Sequence, residues 1–135
     1  MRKINEVIIH CSATKEGRDY TVADIDRWHR QRGWNGIGYH YVIYRDGTIH
    51  EGRNVQIMGA HCKKHNANSI GIVYIGGLDE NGKPKDTRTN NQKAAMYNLL
   101  RSIKKLYPGV TIHGHNEFAA KACPCFDVQK EYGGL

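Results

Sequence analysis

The run "NSIGIVYIGG", residues 68–77, is the segment that most limits the folds open to this chain. Its apolar residues follow one another without the polar alternation of a strand that faces water on one side. Continuous hydrophobicity of this kind is typical of a central strand that is buried on both faces. The segment therefore predicts the middle of a sheet that is covered on both sides.

Three further segments have the composition of neighbouring strands. Residues 6–10, "EVIIH", form a β-branched apolar run that ends at His10, and the carboxyl ends of strands are where open sheets expose functional groups. Residues 39–52, "YHYVIYRDGTIHEG", alternate on either side of Asp46-Gly47, which predicts a hairpin with a tight turn. "VTIHG", residues 110–114, is a further short strand.

Two segments have the pattern of amphipathic helices. Residues 21–33 begin with a capping box, and Gly33 ends the helix. Residues 89–109 begin with a second capping box and end at a Pro-Gly pair. The three-and-four spacing of a core-facing stripe in this longer helix involves Met96, Leu99, Leu100, Ile103 and Leu106. Strands and helices thus predict one α/β domain over residues 1–135, with a central mixed β-sheet flanked by helices.

The chain is basic, with 20 Lys and Arg against 13 Asp and Glu and a formal net charge of +7. A positive surface attracts polyanions of any kind, including nucleic acid and acidic wall polymers. The basic residues are spread along the chain and form neither a stripe nor a recognition-helix pattern. We therefore expect no specific nucleic-acid partner.

Neither a membrane span nor an export signal is evident. No apolar run approaches the roughly 18 residues that cross a bilayer. The apolar run before His10 is too short for the core of a signal peptide. These features predict synthesis in the cytoplasm and no insertion into a membrane.

Residues 112–127, "IHGHNEFAAKACPCFD", concentrate groups that bind metal ions. Zinc accepts imidazole nitrogen and thiolate sulfur, and three protein ligands with one open position make a catalytic site. Spacing alone does not choose among the candidates, and buried inert thiols are the alternative. A bridge between the two cysteines of this stretch would close a small, strained ring across one proline. The candidates are His113, His115, Cys123 and Cys125, with His10 as the distant member.

Four motifs together resemble one known family. In chain order they are "HCSAT", "WHRQRGWNGIGYHYVIYRDGTIHEGR", "GAHCKKHNANSIGI" and "HNEFAAKACPCFD". Their order and spacing resemble the zinc-dependent N-acetylmuramoyl-L-alanine amidases of the amidase-2 or peptidoglycan-recognition-protein superfamily, and especially the small amidase-type lysozymes of T-odd phages. The resemblance extends from about residue 7 to about residue 128.

The resemblance implies a set of metal ligands. The family holds one Zn²⁺ with a histidine that ends the first strand, a second histidine and a cysteine that precedes a proline. At the matching positions stand His10, His115 and Cys123. His113 and Cys125 are then bystanders, and many relatives have a small residue in place of Cys125.

The resemblance also implies catalytic and substrate-binding residues. Tyr39 of "GYH" and Lys121 of "KAC" stand at the catalytic positions of the phage-type members. Tyr39 is expected to position the attacking water or to bond the oxyanion, and Lys121 to offer positive charge. His61 and Asn66, in "GAHCKKHN", match positions that line the substrate groove in relatives.

The other histidines and Cys11 are expected to have no direct part in the chemistry. His29 lies among charged residues of the first helix and is expected to be exposed. His40 and His50 lie in the hairpin and are expected to be structural or to face solvent. Cys11 follows a ligand, so its side chain should point to the opposite face of the strand, buried and inert.

Hydrolysis of the amide between N-acetylmuramic acid and L-alanine is the activity that the resemblance implies. Its partners would be peptidoglycan or muropeptides, and the chain would act as a monomer. The expected role is that of a phage or prophage lysin that reaches the cell wall after release. The alternatives are a wall-recycling amidase on soluble muropeptides and a non-catalytic muropeptide-binding module of the same fold.

Overall fold

A computed structural model describes residues 1–135 and contains seven strands, three α-helices and two short 3₁₀ turns. The strands are β1 (Glu6–Cys11), β2 (Thr14–Lys15), β3 (Tyr41–Ile43), β4 (Ile49–Glu51), β5 (Ser69–Tyr74), β6 (Gly77–Leu78) and β7 (Thr111–Gly114). The helices are α1 (Val22–Gln31), α2 (Asn90–Leu106) and α3 (Val128–Tyr132). The 3₁₀ turns are Asn66–Asn68 and His115–Glu117.

Five strands form the main sheet in the order β4-β3-β5-β1-β7. β5 is parallel to β1 and β3, β7 is parallel to β1, and β4 is antiparallel to β3. The predicted mixed sheet and the hairpin are therefore confirmed. All six residues of β5 are buried, which confirms its central place.

The sheet separates two apolar layers. One face packs against α2 and α3, and its larger core includes Val7, Ile9, Ile72, Met96 and Leu100. The other face packs against α1, and its smaller core consists of Ile25, Ile37, Val42, Val73 and Ile75. His10 alternates with Ile9 along β1 and therefore lies on the α1 face.

Both helices begin as the sequence predicts. Thr21 with Asp24, and Thr89 with Gln92, form complete capping boxes. The assignment of Leu106 to the core was wrong, because this last residue of α2 is 75% exposed. Tyr107, four residues after Ile103, packs on the core in its place. No helix combines the length and the hydrophobicity that are needed to cross a membrane.

Arg88 ties the C-terminal segment to the body of the domain. Its side chain is 1% exposed and forms ion pairs with Asp86 at 2.9 Å and Glu131 at 2.8 Å. Its guanidinium carbon also lies 3.5 Å from the ring centroid of Phe126. The carboxylates raise the pKa of Arg88 against the opposing effect of burial. The segment that carries Cys123 is thereby fixed at its far end.

We expect Arg88→Met to lower the free energy of unfolding by about 2–4 kcal/mol, because it leaves two carboxylates without their buried partner. Urea denaturation followed by circular dichroism would measure the change. Arg101→Met is the matched control, since Arg101 is exposed and its side chain bonds only the hydroxyl of Tyr97. Equal stability of the two variants would contradict this role of Arg88.

Candidate metal centre and active site

Adjacent parallel strands bring His10 and His115 together. In the register of β1 and β7, Ile9 lies opposite Gly114, so His10 and His115, the residues that follow them, lie close together at the end of the paired strands. The two imidazole ring centroids are 4.6 Å apart. His115 begins a 3₁₀ turn, so the chain leaves the sheet at the residue whose side chain faces His10.

His113 lies apart from this pair. Its Nδ1 is 2.9 Å from Glu117 Oε1, and its Nε2 is 2.8 Å from Thr111 Oγ1. Although His113 and His115 are two residues apart, the strand ends at Gly114, and both nitrogens of His113 have partners elsewhere.

Cys123 comes from the loop that returns over the end of β1. The backbone N–H of Cys11 donates to Cys123 Sγ at 3.2 Å, and Sγ lies 3.9 Å from His10 Nδ1. The hydroxyl of Tyr74 donates to the carbonyl of Pro124 at 2.6 Å and holds this loop on the sheet. One donor atom from each of three residues, His10, His115 and Cys123, lies within 4.8 Å of the others.

The chemistry of this donor set fits zinc. Donor atoms lie about 2.0–2.3 Å from a tetrahedral zinc ion and hence within about 4 Å of one another, so small side-chain rotations suffice. A hydrogen bond from Cys11 lowers the pKa of Cys123, against the effect of burial. Burial, followed by the charges of His61 and His115, holds the pKa of His10 well below its usual value. Thiolate and neutral imidazole are the forms that bind metal ions.

Cys125 is placed differently from Cys123. It adopts a positive φ of 70° and donates from Sγ to the carbonyl of Gly77 at 3.2 Å. Its Sγ lies 3.8 Å from that of Cys11, and burial raises its pKa to about 12. Cys125 does not belong to the converging group, and all four cysteines of the chain are free.

Tyr39 lies beside the converging donor atoms. Its ring centroid is 5.0 Å from that of His10. Burial, and then the proximity of Cys123, raises the pKa of Tyr39 above its usual range. The phenol therefore keeps its proton at neutral pH and can donate a hydrogen bond.

The expectation that His29 is exposed was wrong, because it is 5% exposed. Its Nδ1 accepts a hydrogen bond from the backbone N–H of Gly38 at 2.9 Å, and its ring lies 5.4 Å from that of Tyr39. Burial lowers the pKa of His29 to about 4. The charged neighbours in the sequence point outward, whereas His29 supports the loop that carries Tyr39.

The remaining predictions for His40 and His50, and the predicted burial of Cys11, agree with the structure. His40 is fully buried, and its Nδ1 accepts from the N–H of Gly71 at 3.0 Å, which makes it a structural residue. His50 stacks on Tyr44 with ring centroids 3.7 Å apart. Cys11 is buried in the larger core.

An open groove of about 540 Å³ runs beside the converging donor atoms. The side chains that line it include Trp34, His61, Asn66, His115, Phe118 and Lys121. Lys121 is exposed, and its positive charge contributes to lowering the pKa of both His10 and His115. A ligand in the groove would therefore contact His115 and a cationic side chain together.

His61 and Asn66 meet at the wall of this groove. Asn66 Oδ1 accepts the backbone N–H groups of His61 and Cys62, each at 2.9 Å, so its amide NH₂ is the part that can face a ligand. The two ring nitrogens of His61 lie 2.8 Å from His10 Nε2 and 3.1 Å from Ser69 Oγ. Substrate binding by His61 stays a prediction, but its polar atoms already have partners.

Comparisons with known proteins agree on one family. The sequence pattern of the N-acetylmuramoyl-L-alanine amidases (Amidase_2) matches residues 1–126. The endolysin of Escherichia phage T7 is 40% identical over 124 residues, which are 92% of this chain and 82% of that protein.

Two solved structures have the same fold as this chain. N-acetylmuramoyl-L-alanine amidase LysC from Clostridium intestinale superposes with a TM-score of 0.79 and 30% identity, over 91% of this chain and 77% of that one. Drosophila PGRP-LB superposes with a TM-score of 0.77 and 30% identity, over 92% of this chain and 76% of that one. Both support the predicted fold class.

Proposed function

We propose that this chain, which belongs to the N-acetylmuramoyl-L-alanine amidase family and is an enzyme of that class, depends on one zinc ion for its activity. His10, His115 and Cys123 would hold the ion, and the substrate is the amide between N-acetylmuramic acid and L-alanine in peptidoglycan. The observation that carries the proposal is the convergence of three donor atoms within 4.8 Å. Residues 1–135 would form a single catalytic domain that acts as a monomer.

The bound ion would supply Lewis acidity and a water of lowered pKa. The role of Tyr39 is to donate its phenolic hydrogen bond to the oxygen that becomes negative as the amide carbon turns tetrahedral. A fixed donor aimed at that oxygen contributes about 3 kcal/mol to the transition state. The ring of Tyr39 packs against the rings of His10 and His29, and these contacts orient it.

Lys121 and Asn66 act on the groove side of the same centre. Lys121 directs positive charge at the developing oxyanion without binding metal, since its ammonium group has no lone pair to offer. Asn66 offers its amide NH₂ to the glycan or the stem peptide, while its oxygen keeps the loop in place. Both side chains line the groove next to His115.

A muropeptide-binding module without activity is the second candidate, because a structure of this fold is the complex of the recognition-protein ectodomains PGRP-LCa and PGRP-LCx with tracheal cytotoxin. By the family resemblance, many non-catalytic members lack the cysteine ligand. This chain has Cys123 together with both histidines, and that combination favours the enzyme.

Digestion of purified sacculi, with mass analysis of the products, separates the two candidates. The enzyme should release peptides whose new amino terminus is L-alanine, lose this activity to a chelator and regain it with added zinc. Binding to sacculi without any released peptide would support the module instead. Activity that survives complete zinc removal would contradict the proposed dependence on the metal.

The likeness to phage endolysins supports a lysin that acts on the wall after release from the cell. A wall-recycling amidase is the competing role. The same mass analysis discriminates them when intact sacculi and soluble muropeptides are compared as substrates. A lysin should cut both, whereas a recycling enzyme should cut only the soluble form.

We expect Cys125→Ser to keep one zinc ion per chain and to change activity by no more than about twofold. The reason is that the Cys125 thiol bonds the carbonyl of Gly77 and stays protonated at neutral pH. Elemental analysis of the purified protein would measure the zinc content. Loss of zinc from this variant would mean that the wrong cysteine has been assigned.

A further inference from the structure

We propose that His61, backed by Ser69, is a positioning residue that fixes the ring and the tautomer of His10 for metal binding. This inference rests on the proposed function, since it needs His10 to be a zinc ligand. It assigns His61 a task other than gripping substrate. The starting observation is a continuous line of polar atoms, His10 Nε2 to His61 Nδ1 at 2.8 Å and His61 Nε2 to Ser69 Oγ at 3.1 Å.

The two nitrogens of His10 have different surroundings. Nδ1 lies 3.9 Å from Cys123 Sγ, on the side where the donor atoms converge. Nε2 points away from them, toward His61. A metal on the Cys123 side must therefore be bound through Nδ1, which leaves the proton of the neutral ring on Nε2.

The position of that proton fixes which atom donates and which accepts in both hydrogen bonds of the line. Nε2–H of His10 donates a hydrogen bond to Nδ1 of His61. The His61 ring is therefore protonated on Nε2, and this N–H donates a hydrogen bond to Ser69 Oγ. Metal-binding histidines commonly donate their second ring N–H to an acceptor, which fixes the tautomer and the ring orientation. Here the acceptor is another histidine, and a buried serine terminates the line.

The fold holds the His61 ring in one orientation. A Cβ added to Gly71 would lie 2.6 Å from Cγ and Cδ2 of the ring, and one added to Gly59 would lie 2.7 Å from the same Cδ2. The ring therefore occupies space that two glycines leave free. Asn66 Oδ1 holds the backbone of His61 from the other side at 2.9 Å. The His61 and His10 rings are perpendicular, with centroids 4.9 Å apart.

Substitution by Asn and by Leu tests the proposal, because these two side chains have nearly the same shape. Asn can offer Oδ1 where His61 offers Nδ1, whereas Leu offers no acceptor. We expect His61→Leu to bind zinc about 10–100-fold more weakly than the unaltered protein, and His61→Asn to recover most of that loss. Competition with a chromophoric chelator measures zinc affinity without any assay of hydrolysis.

His113→Leu is the matched control, since His113 is bonded to Glu117 and Thr111 and lies outside the line. It should bind zinc as the unaltered protein does. Thermal unfolding of the zinc-free variants checks that each is folded. If neither variant at position 61 folds, Ser69→Ala decides, with an expected loss of zinc affinity of several-fold.

Equal zinc affinity of the Leu and Asn variants would overturn the proposal. If neither of them folds, an unchanged zinc affinity of Ser69→Ala would overturn it. A higher KM with unchanged zinc affinity in His61→Leu would overturn it too, because that result indicates substrate binding. His10→Ala separates this failure from that of the proposed function. If His10→Ala loses zinc while His61→Leu does not, only the inference about His61 fails.

Discussion

Cys123→Ser and His10→Ala should each purify without zinc and should fail to digest peptidoglycan. Either change removes one of three donors that converge within 4.8 Å. Two remaining donors bind zinc weakly, and without the ion the pKa of the attacking water rises back to that of bulk water. We therefore expect a loss of activity of more than about 1,000-fold. Elemental analysis and mass analysis of digested sacculi would measure the two effects.

The neighbouring residues of the same types provide the controls. His113→Ala and Cys125→Ser remove a histidine and a cysteine that lie within two residues of His115 and Cys123. Both controls should keep zinc and activity, since their side chains bond other partners. Zinc that stays bound at full affinity after His10→Ala would refute the ligand assignment.

Tyr39→Phe should keep the zinc ion and lose turnover. The substitution removes one hydroxyl and leaves the aromatic ring beside His10. Loss of a hydrogen bond that forms only in the transition state lowers kcat and leaves KM almost unchanged. We expect kcat to fall about 100-fold, as for the loss of one donor from an oxyanion hole.

Steady-state hydrolysis of a soluble muropeptide would separate kcat from KM in this variant. Tyr97→Phe is the control, because Tyr97 is an exposed residue of α2, on the opposite face of the sheet. A kcat within twofold of the unaltered value would exclude Tyr39 from catalysis. Loss of zinc from Tyr39→Phe would instead make it a support of the metal centre.

The sequence predicted the elements that are determined locally. Continuous burial of β5, the Asp46-Gly47 hairpin and both capping boxes follow from patterns within a few residues of one another. Each depends on backbone hydrogen bonding or on the period of the apolar residues. They are the features that short-range physical rules describe well.

The candidate site depends on long-range geometry, and spacing alone left its members open. His10 and Cys123 are 113 residues apart and meet where the loop returns over the end of β1, whereas the β1–β7 register brings His115 to His10. The family resemblance selected the three donors. Convergence of their atoms is consistent with that choice, and the ligand roles remain a proposal.

Burial of polar side chains was the main feature that the sequence did not reveal. His29 lies among charged residues of α1, yet it is buried and its Nδ1 accepts a hydrogen bond from the N–H of Gly38. The contact between His10 and His61 joins residues 51 positions apart. Gly71 is the one sequence signal for it, since a glycine within a central strand indicates close approach of another group.

X-ray absorption spectroscopy of the zinc-loaded protein tests the metal centre most directly. We expect one zinc ion per chain, with one sulfur at about 2.3 Å and three nitrogen or oxygen neighbours at about 2.0–2.1 Å. Two of the lighter neighbours should show the multiple scattering of imidazole, and the third should be solvent. A second sulfur in the first coordination shell, or four protein ligands that leave no open position, would contradict the proposed hydrolytic centre.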